Sequence, residues 1–339
     1  MTRNPSLAVA HELATADRGA HFLGLVADRL AATEEVIRRQ TTSEITFIDE
    51  ASEHIFRGGG KRVRPTLLLL SSRMLGSESA EDITYAAVVE LIHTASLVHD
   101  DIIDDSKLRR GRTTIHNVWD NSQAVLLGDW LYMTSMKMAL SHDRLDVVRQ
   151  LCESTLRMTE GELLVLERLG ATDVTREEYF EIIERKTAFL FASACSIPSL
   201  ANGTKDDWEA LSLYGRSLGL CFQLVDDLLD FTENETRLGK PALSDLKGGK
   251  LTLPLILLMP RLAAGKRRWI EQVLEDRAFE RVQPEQILEL VDNAGVVEEV
   301  RETAQSYALA AQTALERFPP GEARDALEFA PEFVLNRRS

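Results

Sequence analysis

From His21 to Arg39, and again from Thr42 to Phe56, apolar residues return at intervals of three and four, the recurrence of an amphipathic helix. The strict alternation of half-buried strands is not found along the chain. No proline occurs between Pro65 and Pro198, so no residue in that interval withholds a backbone N–H from a long helix. The pattern predicts helices over roughly 20–39, 42–57, 62–75, 80–104, 123–140, 144–168, 175–202, 205–231, 252–264, 267–279, 285–293 and 295–317, with helical character continuing to about 335. The fold class is therefore all-α. The Gly/Pro-rich pieces at 58–60, 239–250 and 319–321 are short enough to be loops, so residues 1–339 read as a single domain.

Composition narrows the partners. The chain has 339 residues, of which 44% are hydrophobic, ample for a packed core. Its net charge of -15, from 54 acidic against 39 basic residues, argues against nucleic acid as a partner. Three cysteines, Cys152, Cys195 and Cys221, lie in apolar helical surroundings, which fits a reducing, cytoplasmic compartment better than a disulfide framework. The first residues hold no sustained hydrophobic segment followed by a cleavage site. The apolar run LTLPLILLMP is short of a membrane span and broken by Pro254.

The chemistry concentrates in Leu91–His116, LIHTASLVHDDIIDDSKLRRGRTTIH. On a helix Asp100 stands above Asp104 and Asp101 above Asp105, two repelling carboxylate pairs on neighbouring stripes. Divalent cations relieve that repulsion, and ligands that offer only oxygen suit Mg²⁺, which keeps waters and shares phosphate. Arg109 and Arg110 follow directly, with forked donors that match phosphate oxygens. The spacing DDxxD recurs at Asp226, Asp227 and Asp230, inside the apolar segment GRSLGLCFQLVDDLLDF. One such run is usually a solvated helix face. Two runs, each flanked by residues that should bury their helix, are accounted for more simply by metal ions held jointly.

Further cations stand where an anion would need them. Gly58-Gly59-Gly60 precedes Lys61 and Arg64, which can converge on an anion at a helix start, although a glycine loop followed by surface cations accounts for the segment equally well. His93 lies two turns before Asp100 and forms Glu-x-x-His with Glu90; no second copy completes a di-iron pattern. Lys186 and Thr187 interrupt an apolar helix, and a buried lysine is costly unless paired. Lys240 sits in a cation-rich loop after the second acidic run, which reads as a lid over phosphates beside those aspartates, or, without them, equally well as a solvated surface loop. Arg337-Arg338 reads either as a contact to a diphosphate or as a disordered tail, the tail being preferred.

Together GGGKRVRP, LIHTASLVHDDIIDDSKLRRG, GDW, EGELL, ERKTA, FQLVDDLLDF and LGKPALSDLKGGKLTLP resemble the all-trans polyprenyl diphosphate synthases, in the order and at the spacing of that family, strongly over about residues 50 to 260. The resemblance implies long helices around a deep central cavity, the type I isoprenoid synthase fold, in homodimers. It implies Mg²⁺, about three ions with Mn²⁺ as a substitute, held by Asp100, Asp104, Asp226 and Asp230, with Asp101 and Asp227 completing the acidic surfaces. An allylic diphosphate would be held by Arg109, Lys186 and Lys240, and isopentenyl diphosphate by Lys61, Arg64, His93 and Arg110. Thr187 and Gln223 would turn uncharged dipoles toward the developing carbocation. The product would leave with transient membrane contact.

Small residues at Ala95 and Ser96, one turn before Asp100, leave room for a growing tail. The expected product is therefore long, about thirty to forty carbons (hexaprenyl to octaprenyl), if the floor lies among Tyr85, Val88, Val89, Tyr132, Met133 or Met136, with Tyr85 about 22 Å along the helix from Asp100. The competing readings are a shorter-chain farnesyl or geranylgeranyl diphosphate synthase, a terpene cyclase or head-to-head enzyme, a regulatory subunit and a di-metal redox bundle.

Overall fold

The computed structural model describes residues 18–109, 111–232 and 242–337. In chain order its elements are α1 (Ala27–Gln40), α2 (Thr46–Arg57), α3 (Val63–Met74), α4 (Ala80–Ile103), the two-residue strands β1 (Leu108–Arg109) and β2 (Arg112–Thr113), α5 (Ile115–Val118), α6 (Asn121–Leu140) and α7 (Leu145–Glu167). There follow α8 (Arg176–Ile183), one turn of π-helix (Glu184–Ala188), α9 (Phe189–Asn202), α10 (Lys205–Thr232), α11 (Ser244–Lys247), α12 (Leu253–Leu258) with a 3₁₀ turn (Met259–Arg261), α13 (Ala264–Asp276), α14 (Pro284–Ala294), α15 (Val296–Ala314) and α16 (Glu322–Leu335). The described residues are all-α apart from the antiparallel β1–β2 pair.

Backbone packing divides the chain into two compact units. The first comprises Met1–Cys152, Ala192–Tyr214 and Gln312–Phe333; the second comprises Glu153–Phe191, Gly215–Ala311 and Val334–Ser339.

In the first unit α4 is the central element, buried along most of its length from Tyr85 to Val98. Its start is pinned by a capping box in which the Ser79 hydroxyl accepts from the Asp82 N–H, while the Asp82 carboxylate also accepts from Ser72 and Ser77. It ends at Asp104, after which Asp105 takes a left-handed φ of 47°. Helix α6 crosses α4 where Gly128 meets His99; a Cβ on that glycine would fall 2.2 Å from His99 Nε2. The glycine of the GDW motif thus leaves room for the His99 ring between the two helices. Helix α3 starts from a left-handed turn at Gly59 (φ 64°) and Arg62 (φ 45°), a strained conformation for an arginine.

In the second unit the apolar run expected to be one helix over 175–202 contains a π-turn at Glu184–Ala188. Two glycines make space for it. A Cβ on Gly161 of α7 would lie 2.6 Å from the Lys186 backbone nitrogen, and one on Gly219 of α10 would lie 2.7 Å from Ala188 Cα. The helices expected at 252–264 and 267–279 divide differently: α12 gives way to a 3₁₀ turn at Pro260, whose ring cannot continue the hydrogen-bond ladder, and α13 begins at Ala264. Helix α16, with Pro331 inside it, lies past the last helix delimited from the sequence.

Candidate active site

In the first unit Asp100 is half-buried and Asp104 exposed, and the Asp104 N–H donates to the Asp100 carbonyl at 2.8 Å, so one stands above the other on α4 as the spacing requires. Asp101 is buried and accepts from Arg109 Nε at 2.7 Å. Burial pushes the Asp101 carboxyl up, while the adjacent Arg109 guanidinium pulls it back.

Behind this pair opens a recess of about 90 Å³ lined by Gly58, Gly59, Arg62, His93, Asp101 and Arg109, together with His54 and Arg112. Arg62 is bound within it to Glu90 at 2.6 Å, both side chains being nearly inaccessible. Glu90 is thereby neutralised, which removes the carboxylate of the Glu-x-x-His half-motif from metal chemistry. Arg64 carries a deeply buried guanidinium whose pKa falls to about 10 through burial, with Glu90 opposing the shift. Lys61 is exposed. Thus, of the four cations expected for isopentenyl diphosphate, His93 lines the recess, Lys61 and Arg64 flank the lining residue Arg62, and Arg110 lies outside the described residues. Sequence pattern does not point to His54 or Arg112. The His54 ring donates to the Thr113 carbonyl at 2.8 Å and Arg112 donates to the His54 carbonyl at 3.4 Å, contacts across more than fifty residues that no local pattern announces.

In the second unit the π-turn brings Thr187 to α10 and Lys186 to α7. Lys186 forms an ion pair with Glu162 of the EGELL motif, the partner that a half-buried lysine requires. The Thr187 hydroxyl donates to Gln223 Oε1 at 2.8 Å, and Gln223 Nε2 donates to Asp227 Oδ1 at 2.8 Å. The Tyr179 hydroxyl donates to Asp227 Oδ2 at 2.6 Å. Burial, reinforced by the charge on Asp245, pushes the Asp227 carboxyl up, although these two donors favour its ionised form.

The three aspartates of the second run therefore differ in kind. Asp226 keeps 42% of its side-chain surface exposed. Asp227 is 5% exposed and engaged on both oxygens. Asp230, expected among the metal ligands, is fully buried, and its carboxylate accepts from the Ser244 N–H, the Ser244 hydroxyl and the Asp245 N–H, so that it caps α11. Arg337, expected in a disordered tail, rests 3.3 Å from Asp226 Oδ1 and 5.0 Å from the centre of the Phe222 ring. Lys240 and Arg338 lie outside the described residues.

On α4, Ala95 is buried and Ser96 half-buried, its hydroxyl donating to the His93 carbonyl. Of the candidate floor residues Tyr85, Val88, Val89 and Met136 are buried and Tyr132 half-buried, but Met133 is 61% exposed and forms no part of an internal floor. Among the described residues no three carboxylate, imidazole or thiolate side chains converge to hold an ion by themselves. Asp100 and Asp104 in the first unit, and Asp226 in the second, each keep a solvent-accessible side chain, and carboxylate oxygen is the donor that suits a hard cation completing its shell with water and phosphate.

The model of the polyprenyl synthetase family matches residues 45–291. Octaprenyl diphosphate synthase of Escherichia coli is 36% identical over 304 residues, covering 89% of this chain and 94% of that protein. A short chain isoprenyl diphosphate synthase of Methanothermobacter thermautotrophicus is also 36% identical, over 306 residues, covering 88% of this chain and 94% of that protein. The crystal structure of a polyprenyl synthase from Caulobacter crescentus, complexed with calcium and isoprenyl diphosphate, superposes with a TM-score of 0.89 at 34% identity over 95% of this chain and 98% of that one. With the acidic runs and the fold in agreement, this chain belongs to the polyprenyl synthetase family and has its all-α type I isoprenoid synthase fold.

Proposed function

We propose that the protein is a trans-polyprenyl diphosphate synthase that ionises an allylic diphosphate and condenses it repeatedly with isopentenyl diphosphate. The observation that carries this reading is the π-turn, which sets Thr187 beside Gln223 on the helix that also bears the second acidic run and pairs Lys186 with Glu162 of the EGELL motif. The residues to hold the metal are Asp100, Asp104 and Asp226; Asp101, Asp227 and Asp230 support them from behind. The chemistry that about three Mg²⁺ ions, or Mn²⁺ in their place, supply when bound is neutralisation of the departing diphosphate. Calcium in the related Caulobacter crescentus structure supports a site for hard divalent cations.

The chain's own groups do the rest. Lys186, with Arg109 and Lys240, adds fixed positive charge where the leaving diphosphate gains negative charge, which favours the transition state over the ground state. Thr187 and Gln223 present oxygen dipoles to the allylic cation. The recess of the first unit, with Arg62, His93, Arg112 and His54 on its walls, receives the diphosphate of isopentenyl diphosphate, flanked by Lys61, Arg64 and Arg110. Apolar walls keep water from quenching the cation, so the double bond of isopentenyl diphosphate attacks it instead. The proton then lost passes to the departing diphosphate.

Ala95 and Ser96 support a long product, about thirty to forty carbons on the helix-rise estimate. An exposed stripe on α6, Leu126 (65%), Met133 (61%) and Leu140 (50%), spaced seven apart, supports a homodimer. No described helix is long and apolar enough to cross a membrane. The fuller proposal is a cytoplasmic enzyme that touches a membrane only to release its product.

Incubating the purified protein with isopentenyl diphosphate and allylic primers of three lengths, with and without EDTA, tests the whole reading. Metal-dependent elongated diphosphates are expected, and Asp100→Ala or Asp226→Ala should lower turnover by about three orders of magnitude or more. Cyclised hydrocarbons, or elongation indifferent to EDTA, would refute it.

A further inference from the structure

The Gln223 side chain has two ends of nearly equal shape and opposite polarity. An allylic cation is stabilised by the amide oxygen and destabilised by the NH₂ group, and the two exchange by a half-turn about one terminal bond, so packing alone does not choose between them. The choice is made by hydrogen bonding. Nε2 donates to Asp227 Oδ1 at 2.8 Å, and Oε1 takes the Thr187 hydroxyl at 2.8 Å. Asp227 is held in turn by Tyr179, whose hydroxyl donates to its other oxygen at 2.6 Å; Tyr179 is 4% and Asp227 5% exposed. In so dry a place each of these bonds is strong and each alternative costly.

From this arrangement we infer that Tyr179 is a positioning residue which, by fixing Asp227, holds the Gln223 amide with its oxygen toward Thr187 and the reacting allylic carbon. Asp227 then serves the reaction as the lock on an amide dipole, which also accounts for its burial beside an accessible Asp226. The inference rests on the reading of Gln223 as a neighbour of the allylic cation.

The test is single-turnover and steady-state kinetics of the full-length enzyme with an allylic diphosphate and isopentenyl diphosphate, for Tyr179→Phe, Asp227→Asn, Gln223→Ala and Tyr179→Phe combined with Gln223→Ala. Tyr179→Phe keeps the ring and should lower kcat about tenfold, with both KM values within about twofold of wild type. Asp227→Asn, whose new amide can donate to Oε1 and so permits the reversed orientation, should lose more. Once Gln223 is alanine, the tyrosine change should cost nothing further. The same tenfold loss persisting in the Gln223→Ala background, or a raised KM with unchanged kcat, would show that Tyr179 serves only the fold or substrate binding and would overturn the inference. Wild-type turnover by Gln223→Ala itself would mark a different failure, that of the reading of Gln223, and would take this inference with it.

Discussion

A guanidinium resting on a carboxylate that a metal ion needs competes with that ion. Arg337, 17% exposed, lies on Asp226 and over Phe222 one turn earlier on α10, so it neutralises the one accessible aspartate of the second run. Replacing Arg337 with alanine should tighten Mn²⁺ binding about two- to fivefold, the range that an ion pair of this exposure supports, as read by a spin-resonance titration. Equal or weaker binding would contradict the competition. The acidic runs themselves are legible in the sequence, because carboxylates repeated as DDxxD inside an apolar helix repel one another unless something binds between them. Which aspartate faces solvent is not legible. The three share one helix and one spacing, and their burial is decided by Tyr179 and Ser244, residues fourteen and more positions away. For the same reason Asp230 carries the pattern of a ligand and the hydrogen bonds of a helix cap.

At the scale of elements, the helices follow from hydrophobic periodicity to within a few residues over most of the chain, and Pro260 accounts for a boundary that periodicity alone misplaces. The π-turn could not be read in this way. One extra residue in a turn hardly disturbs the recurrence of apolar positions, and what sustains it is the close approach of two other helices at Gly161 and Gly219. Gly161→Ala and Gly219→Ala should each lower unfolding free energy by about 1–3 kcal/mol, because the new methyl meets backbone atoms that cannot yield, and each should depress turnover by displacing Lys186 and Thr187. Chemical denaturation and kinetics on the two variants check this; wild-type stability in both would mean that the close contacts relax freely. Helix α4 supports a separate prediction. Ala95→Phe and Ser96→Phe introduce a ring one turn before Asp100 and should shorten the product, as read by chromatography of the dephosphorylated prenols. Unchanged length in both variants would remove α4 from control of chain length.

At the scale of the whole molecule, the exposed residues Leu126, Met133 and Leu140 of α6 make an apolar stripe that a soluble monomer would seldom carry. Leu126→Glu combined with Met133→Glu should convert a dimer to a monomer by light scattering, since the added charges would be buried at a self-complementary interface; an unchanged mass would place the subunit contact elsewhere. Met133 shows why the sequence could not resolve such a residue: an apolar side chain on an amphipathic helix reads alike whether it lines a tunnel, a core or an interface. The sequence by itself determined the helical class, the places where carboxylates and cations concentrate, and the family, because periodicity and motif spacing are local properties of the chain. Only the tertiary structure decided which carboxylates stay accessible, which cation each one meets, which way the Gln223 amide points and where a helix must widen. Those are properties of contacts between residues far apart in sequence, and they are set by burial and hydrogen-bond partners that no local pattern contains.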